Sequence, residues 1–475
     1  VGSYTGTANA IFFTWNRPDW SKRAVGSTEL NRAPSFIDRT ISGIFYWKSR
    51  LGFLSNESVI LSEVSRHENF WRTTVRTLVD SDRIDVSSGT KDVAAFNHVS
   101  LSDQRIFLFS DLAVFELVGS PLTPRTAEIR QRLKERNSDR ATPASLGRSL
   151  LFAYDNSQFT NIKEMFQVGE DVYDATEISA VVPSYIPGGA RVLHASTVEN
   201  FAIVLTNGDP GTAYIYKFFQ SGQQRVQSAW SKWTFGANTR ILGISIIQSD
   251  ILLYVERDGG VFLEKMTLGD GLKDPNSDFT LHMDRMINTD HPEVSSSYDG
   301  LGDETTFTIP YEMDAGEVYQ AWTYQKDSVG AGLRIGATTT PTTTTLVGSG
   351  NLTGRDLVIG EQVRNDTTLS LPLRKEAQEG QSVVYLEGRL QALRAKFAYS
   401  ASGRFIVTVK AGTRANIQHL FNNVHDGSTF DLEDGSFSLP LRANARELLI
   451  QLKNDQATPA NFLSVEYIME HSPRA

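Results

Sequence analysis

The sequence predicts a mainly β protein. A β-propeller occupies residues 1–268, an irregular, β-rich connecting domain 269–379, and a C-terminal antiparallel, sandwich-like domain 380–475. Three observations carry that prediction. A strand pair recurs five times before residue 270, strands within the repeat are apolar at nearly every position, and short alternating strands return beyond Gly380.

Each copy of the repeat is a short apolar run, a polar turn and a second alternating strand. The copies read YWKSRLGFLSNESVILSEV around Phe53, DQRIFLFSDLAVFELVG around Phe107, GRSLLFAYDNSQFTNIKEMF around Leu151, ENFAIVLTNGDPGTAYIYKFF around Ile203 and SDILLYVERDGGVFLEKMTL around Leu252. Successive centres lie roughly 50 residues apart, close to the 40–50 residues of one four-stranded propeller blade. A blade cannot bury both its faces alone, so neighbouring copies must stack. Runs such as IFLFS and ILLYV suit strands covered on both faces, and turn pairs such as Asn207-Gly208 and Asp258-Gly259 fit tight reversals between them. The chain opens at Val1 without methionine, in what reads as a strand and turn. That predicts an N-terminal stretch beyond the sequence and makes five blades a lower bound.

Two windows read as helix. Residues 125–136 (RTAEIRQRLKER) are good helix formers with a thin apolar face, and residues 174–186 (DATEISAVVPSYI) open with an Asp or Thr cap and end near Pro183. From Gly269 to about Thr306 the chain turns polar, as a linker or crossover would. The threonine-rich window 337–346 (ATTTPTTTTL) reads as a surface loop or projecting arm. Beyond Gly380, SVVYLEG, RFIVTVKAG, SFSLPL and ELLIQLKN supply the strands of the last domain.

Composition narrows the chemistry. The chain has 475 residues, no cysteine and a net charge of -9. Disulfides, thiolate nucleophiles and thiolate metal sites are thereby excluded. An acidic surface argues against gripping nucleic-acid phosphate, though it would let DNA pass without sticking. No window approaches the 18 or so uninterrupted apolar residues of a membrane-spanning helix. No nucleophile elbow, phosphate-cradling loop or dinucleotide fingerprint is present.

The candidate sites are few. His419 and His425 are near neighbours, a possible metal pair, although two ordinary surface histidines explain them as well. Asp80, Asp82 and Asp85 form one oxygen-rich turn, and Asp431, Glu433 and Asp434 another. Either could hold calcium, but both lack the complete ligand pattern, and acids capping their own turn backbone are the plainer explanation. Aromatic clusters at Asn69-Phe70-Trp71 and at Trp230 and Trp233 could stack on sugars or bases, or pack a core. The odd spacing of Trp230 and Trp233 puts them on opposite faces of a strand. No catalytic, cofactor-binding or metal residue is assigned, and no cofactor is expected.

An ordered series of words resembles one family. PSFIDRTISGIFYWKSRLGFLSNESVILSE is followed by NFW, DSDRIDV, LFSDLAVFEL and LTPR. VPSYIPGGARVLHASTVENFAIVLTNGDP, YIYKF and SAWSKWTFG come next, then EGRLQALRAKFAYSASGRFIVTV and SFSLPLRANAREL. From about Pro34 to Tyr467 the series resembles the tail tubular protein B, or tail nozzle, family of short-tailed bacteriophages. Ala392-Leu393 before Arg394 and the threonine-rich window depart from the family pattern. The resemblance implies a structural, non-enzymatic protein of the virion tail, built from a propeller joined to further β-rich domains. It also implies six copies in a ring below an adaptor or gatekeeper protein, with fibres or spikes seated outside. Viral DNA passes through without sequence-specific contact, and the host envelope is met on adsorption. It turns residues 125–136 into a β segment. A second reading, motivated by the tryptophans and many carboxylates, is a receptor-binding or polysaccharide-degrading tail protein.

Overall fold

Successive side chains of a strand point to opposite faces, so a run that is apolar throughout needs a neighbour on each side. In the computed structural model this requirement organises the first half of the chain. The structure describes residues 2–7, 10–89, 95–102, 104–221, 224–236, 238–269, 279–323, 334–338, 344–372, 375–376, 384–385, 389–422, 424–425, 429–430 and 432–472. The described chain is mainly β, in many small antiparallel sheets, and divides into two units. Unit one is Val1–Thr234, Arg240–Val255 and Lys265–Thr267, and unit two is Phe235–Thr239, Glu256–Glu264 and Leu268–Ala475.

After a hairpin of Gly2–Thr7 and Ala10–Trp15, five sheets follow in chain order. The first comprises Gly43–Trp47, Arg50–Ser55, Ser58–Leu61 and Ile84–Ser87. The second comprises Phe96–Ser102, Arg105–Ser110, Val114–Val118 and Glu128–Leu133. The third comprises Ala144–Leu146, Ser149–Asn156, Phe159–Gly169 and Val172–Glu177. The fourth comprises Ala190–Ser196, Phe201–Thr206, Thr212–Ser221 and Gln224–Thr234. In each of these four, every strand pairs antiparallel with the one before it. The fifth has three strands, Arg240–Ile247, Asp250–Arg257 and Gly260–Thr267. All five repeat centres, Phe53, Phe107, Leu151, Ile203 and Leu252, lie on the second strand of their sheet.

The sheets stack in that order. Ile106 and Leu108 pack against Phe45, Leu54 and Leu61 of the first sheet, while Phe107 and Phe109 face Leu150, Phe152 and Met165 of the third. Leu151 and Ala153 then face Ala202, Val204 and Tyr214 of the fourth. The first strands of consecutive sheets touch one another from Gly43–Trp47 through Arg240–Ile247, and the fourth strands of the first three sheets do likewise. Inside the first sheet, Gly52 sits opposite Phe45, and a Cβ there would lie 2.4 Å from the Phe45 ring, so glycine makes room for it.

Charged side chains fasten the stack at its polar margins. Arg105 and Arg132 of the second sheet share Glu116 and Asp171, Asp171 lying in the third sheet's last turn. Arg225 of the fourth sheet grips Glu164 of the third at 2.6 and 2.9 Å. Arg191 spans the fourth and fifth sheets by donating to the main-chain carbonyls of Ile241 and Leu242.

The helix expected over 174–186 does not form. Val172–Glu177 is a strand paired with Phe159–Gly169, and turns follow it. Alternation decides the matter: Tyr173 and Ala175 pack inward on the second sheet's aromatic core while their neighbours face outward, a period that only a strand supplies. Residues 125–136 likewise hold the strand Glu128–Leu133, as the family resemblance implies.

In unit two, seven strands run in the order Met283–Asn288, Leu357–Gln362, Tyr319–Thr323, Arg334–Thr338, Thr345–Ser349, Glu304–Thr308 and Ser295–Asp299. Two of these strands, Met283–Asn288 and Ser295–Asp299, and the start of a third, Glu304–Thr308, fall within the stretch read as a polar linker. Ser295–Asp299 closes one edge with every residue exposed, which is why its composition resembles a loop. Of the threonine-rich window, Thr338 and Thr345 end flanking strands, and 339–343 lie outside the described residues. The last two sheets share one core. Asn365–Thr368, Leu448–Asn454, Arg404–Ala411 and Ile417–Asn422 form one, and Glu433–Asn444, Arg389–Ser402 and Asn461–Ser472 form the other. Phe397 and Leu439 meet Phe405, Val407 and Ile450 between them. The expected strands RFIVTVKAG, SFSLPL and ELLIQLKN fall there, whereas most of SVVYLEG lies outside the described residues.

Phe152 is fully buried between the second and third sheets, beside Phe109 at 5.9 Å. Phe152→Ala is expected to cost about 3–5 kcal/mol, read as a lowered urea midpoint of the first unit.

Candidate functional site

Period-2 alternation on Asp250–Arg257 puts Ile251, Leu253 and Val255 on the buried face, and Arg257 is next in that series. A guanidinium delivered to an interior must find acceptors, and this one finds several. Its side chain has no solvent exposure. Nε and Nη2 donate to the two carboxylate oxygens of Glu264 at 2.7 and 3.0 Å. Nη2 also reaches Asp284 at 2.8 Å, and Nη1 reaches Asp314 at 2.9 Å and the Thr239 hydroxyl at 3.4 Å. Those five contacts occupy all five N–H donors.

A second arginine braces the cluster. Arg285 lies 3.0 Å from Asp314 Oδ1, donates to the Glu312 carbonyl, and stacks 4.2 Å above the Tyr311 ring. The Tyr311 hydroxyl donates back to the Arg285 carbonyl. Glu361 has the poorest share. It is 3% exposed, it lies 3.9 Å from Arg257 Nη1, and its Oε2 accepts from the Tyr319 hydroxyl at 3.2 Å. Gly236, at φ 46°, lets the backbone approach: a Cβ there would meet Thr239 Oγ1 at 3.0 Å and Glu361 Oε1 at 3.6 Å.

Electrostatics follow from this geometry. Burial works against the charge on Arg257, but the carboxylates of Glu264 and Asp284 more than offset it and hold the guanidinium above its ordinary value. Burial pushes the Glu361 carboxyl up to about 8, Asp284 adds to the shift, and Arg257 only partly opposes it. Burial and the nearby Glu361 also raise the Tyr319 phenol. The cluster is a tightly coupled charge network with no nucleophile and base aligned for chemistry. Its residues are scattered in sequence, and the one signal that could have found it is the arginine at an inward position of ILLYVER.

The residues singled out from sequence serve local structure. Asp82 is fully buried and accepts from the Thr73 N–H and hydroxyl and from the Val79 N–H. Asp85 accepts from Ser35 N–H, and the Asp80 carbonyl from Arg50. Asp434 caps Ala401 N–H at 2.7 Å, Glu433 is exposed, and Asp431 lies outside the described residues. His419 is half-buried on an edge strand, and the His425 side chain lies outside the described residues. Phe70 is buried against Phe36 and Phe53, and Trp71 donates to the Ser21 carbonyl. Trp230 packs on Tyr216 at 5.0 Å and donates to the Ile178 carbonyl, whereas Trp233 projects from the other face of the strand. The two rings form no common shelf.

The family described as "Bacteriophage nozzle protein" matches residues 7–475. The chain belongs to the bacteriophage nozzle protein family. Tail tubular protein gp12 of Escherichia phage T7 is 30% identical over 464 residues, a match covering 94% of this chain and 57% of the phage T7 protein. The chain thus spans little more than half the length of that nozzle relative. Among solved structures, Kluyveromyces lactis Hsv2 is similar at TM-score 0.30 and 12% identity, over 56% of this chain and 80% of that one. A post-proline cleaving enzyme from Rickettsia typhi is similar at TM-score 0.31 and 9% identity, over 60% and 43%. Likeness at that level carries no conclusion about the nozzle chain.

Two outcomes are expected of the cluster. Arg257→Ala leaves buried carboxylates without their cation and should destabilise the second unit by about 3–5 kcal/mol, read by urea unfolding. An unfolded glutamate loses its proton near 4.5 and the folded Glu361 near 8, so the folded state holds the extra proton between those values. Its contribution to stability is full below about 4.5 and is lost as pH rises to about 8. Glu361→Gln should therefore gain on the wild type across that range, and a stability difference that stays constant with pH would contradict the assignment.

Proposed function

We propose that this chain is a subunit of the tail nozzle, a structural and non-catalytic part of the phage tail whose first unit is a β-propeller portion. The family match over residues 7–475 is the observation that carries the reading. The five stacked sheets support the propeller, because consecutive four-stranded meanders with neighbouring first strands are how blades pack. Residues 269–379 then connect this portion to a sandwich-like C-terminal domain over 380–475.

In this reading six copies close into a ring by repeating one heterologous interface. An adaptor or gatekeeper protein sits above the ring and fibres or spikes sit around it. The host envelope lies below at adsorption, and the viral DNA passes through the centre. The net charge of -9 favours an acidic or neutral channel lining, since a basic one would hold the DNA backbone instead of letting it slide.

Imaging of the purified assembled particle should show a sixfold ring, and a closed ring of another symmetry would overturn the stoichiometry. Duplex DNA should show no retention by the protein at about 0.15 M salt. Binding that strengthens steeply as salt is lowered would instead indicate a Lys- and Arg-lined channel.

A further inference from the structure

Four carboxyl groups, from Glu264, Asp284, Asp314 and Glu361, surround two guanidiniums, those of Arg257 and Arg285. The donors of Arg257 are all taken by Glu264, Asp284, Asp314 and Thr239, so none is left to hydrogen-bond Glu361. Glu361 has only the Tyr319 hydroxyl, and that oxygen in turn receives the Asp314 N–H and Arg285 Nη1, each at 3.3 Å. A buried carboxyl in this position is stable as the neutral acid.

The segment held by this arrangement is the tip of the hairpin formed by Asp250–Arg257 and Gly260–Thr267. Arg257 and Glu264 flank the tip, and Asp258 within it accepts from Ala315 N–H at 3.2 Å and from Asn238 at 3.3 Å. Every charged anchor is therefore in, or one step from, the Glu361 neighbourhood. Facing it are Arg257 and Glu264 from the hairpin, Asp284 and Arg285 from Met283–Asn288, Tyr311, Asp314 and Glu317 from the following loop, and Tyr319 from Tyr319–Thr323.

We propose that Glu361 is a proton-operated release for the hairpin tip at residues 256–264. With its proton, Glu361 lies neutral beside Arg257 and the tip stays bound to Asp284 and Asp314. When the proton leaves to water, the new carboxylate is buried without hydration and repels Asp284. The attraction of Arg257 offsets this only in part, and the tip opens to let water reach it. This inference does not depend on the nozzle reading.

Hydrogen–deuterium exchange of the full chain, corrected for intrinsic rates and measured at about pH 6, 7 and 8, tests it. Protection of 256–264 should fall by up to about tenfold per pH unit. Peptides of Arg404–Ala411 should keep theirs, and Glu361→Gln should keep the tip protected throughout. The wild-type series decides alone if the variant does not fold. Tip protection that is flat with pH would overturn the proposal, as would a fall matched by Arg404–Ala411 or by Glu361→Gln.

Discussion

Apolar side chains on both faces of one strand are the constraint on which the first unit depends. Ile106 and Leu108 point one way from Arg105–Ser110, and Phe107 and Phe109 the other, and all four are buried. Neither face can be left to water without exposing large hydrocarbon area, so this sheet must lie between two others. The same alternation at Leu150 to Ala153 extends the stack by one more layer. An architecture of repeated layers follows from this.

Buried arginines take over where hydrocarbon stops. Arg50 donates to the carbonyls of Ser62, Asp80 and Asp82, and Arg83 to those of Phe70 and Arg32. In both, burial depresses the guanidinium value, and the nearby carboxylates, Asp82 and Glu63 for Arg50 and Asp85 and Asp82 for Arg83, offset only part of the lost hydration. These side chains act as fixed links between loops whose backbone would otherwise be unsatisfied. Arg257 differs by hydrogen-bonding carboxylates directly, and the buried Glu361 beside it is left with its carboxyl raised.

Membership in the nozzle family agrees with a molecule whose distinctive residues are spent on packing and bracing. Asp82 and Asp434 cap backbone, Trp230 fills a core and Arg225 joins two sheets.

Local pattern determined much of this protein. The five strand pairs, the burial of both faces in the second and third sheets, and three of the four expected C-terminal strands could be read from residues close together in the chain, because strand period and turn chemistry are short-range properties. The family was legible in the order of its words along the chain. The fifth pair instead leaves Tyr254, Val261 and Leu263 exposed. Some strands were hidden. Val172–Glu177 looked helical, and Ser295–Asp299 looked like a linker, because an edge strand needs few apolar residues and is defined by the partner it pairs with. The Arg257 cluster was wholly a matter of tertiary structure. Its members come from a hairpin tip, a loop and separate strands of a seven-stranded sheet. Which carboxylate is left without a donor depends on distances of a few ångströms that no spacing in the sequence encodes.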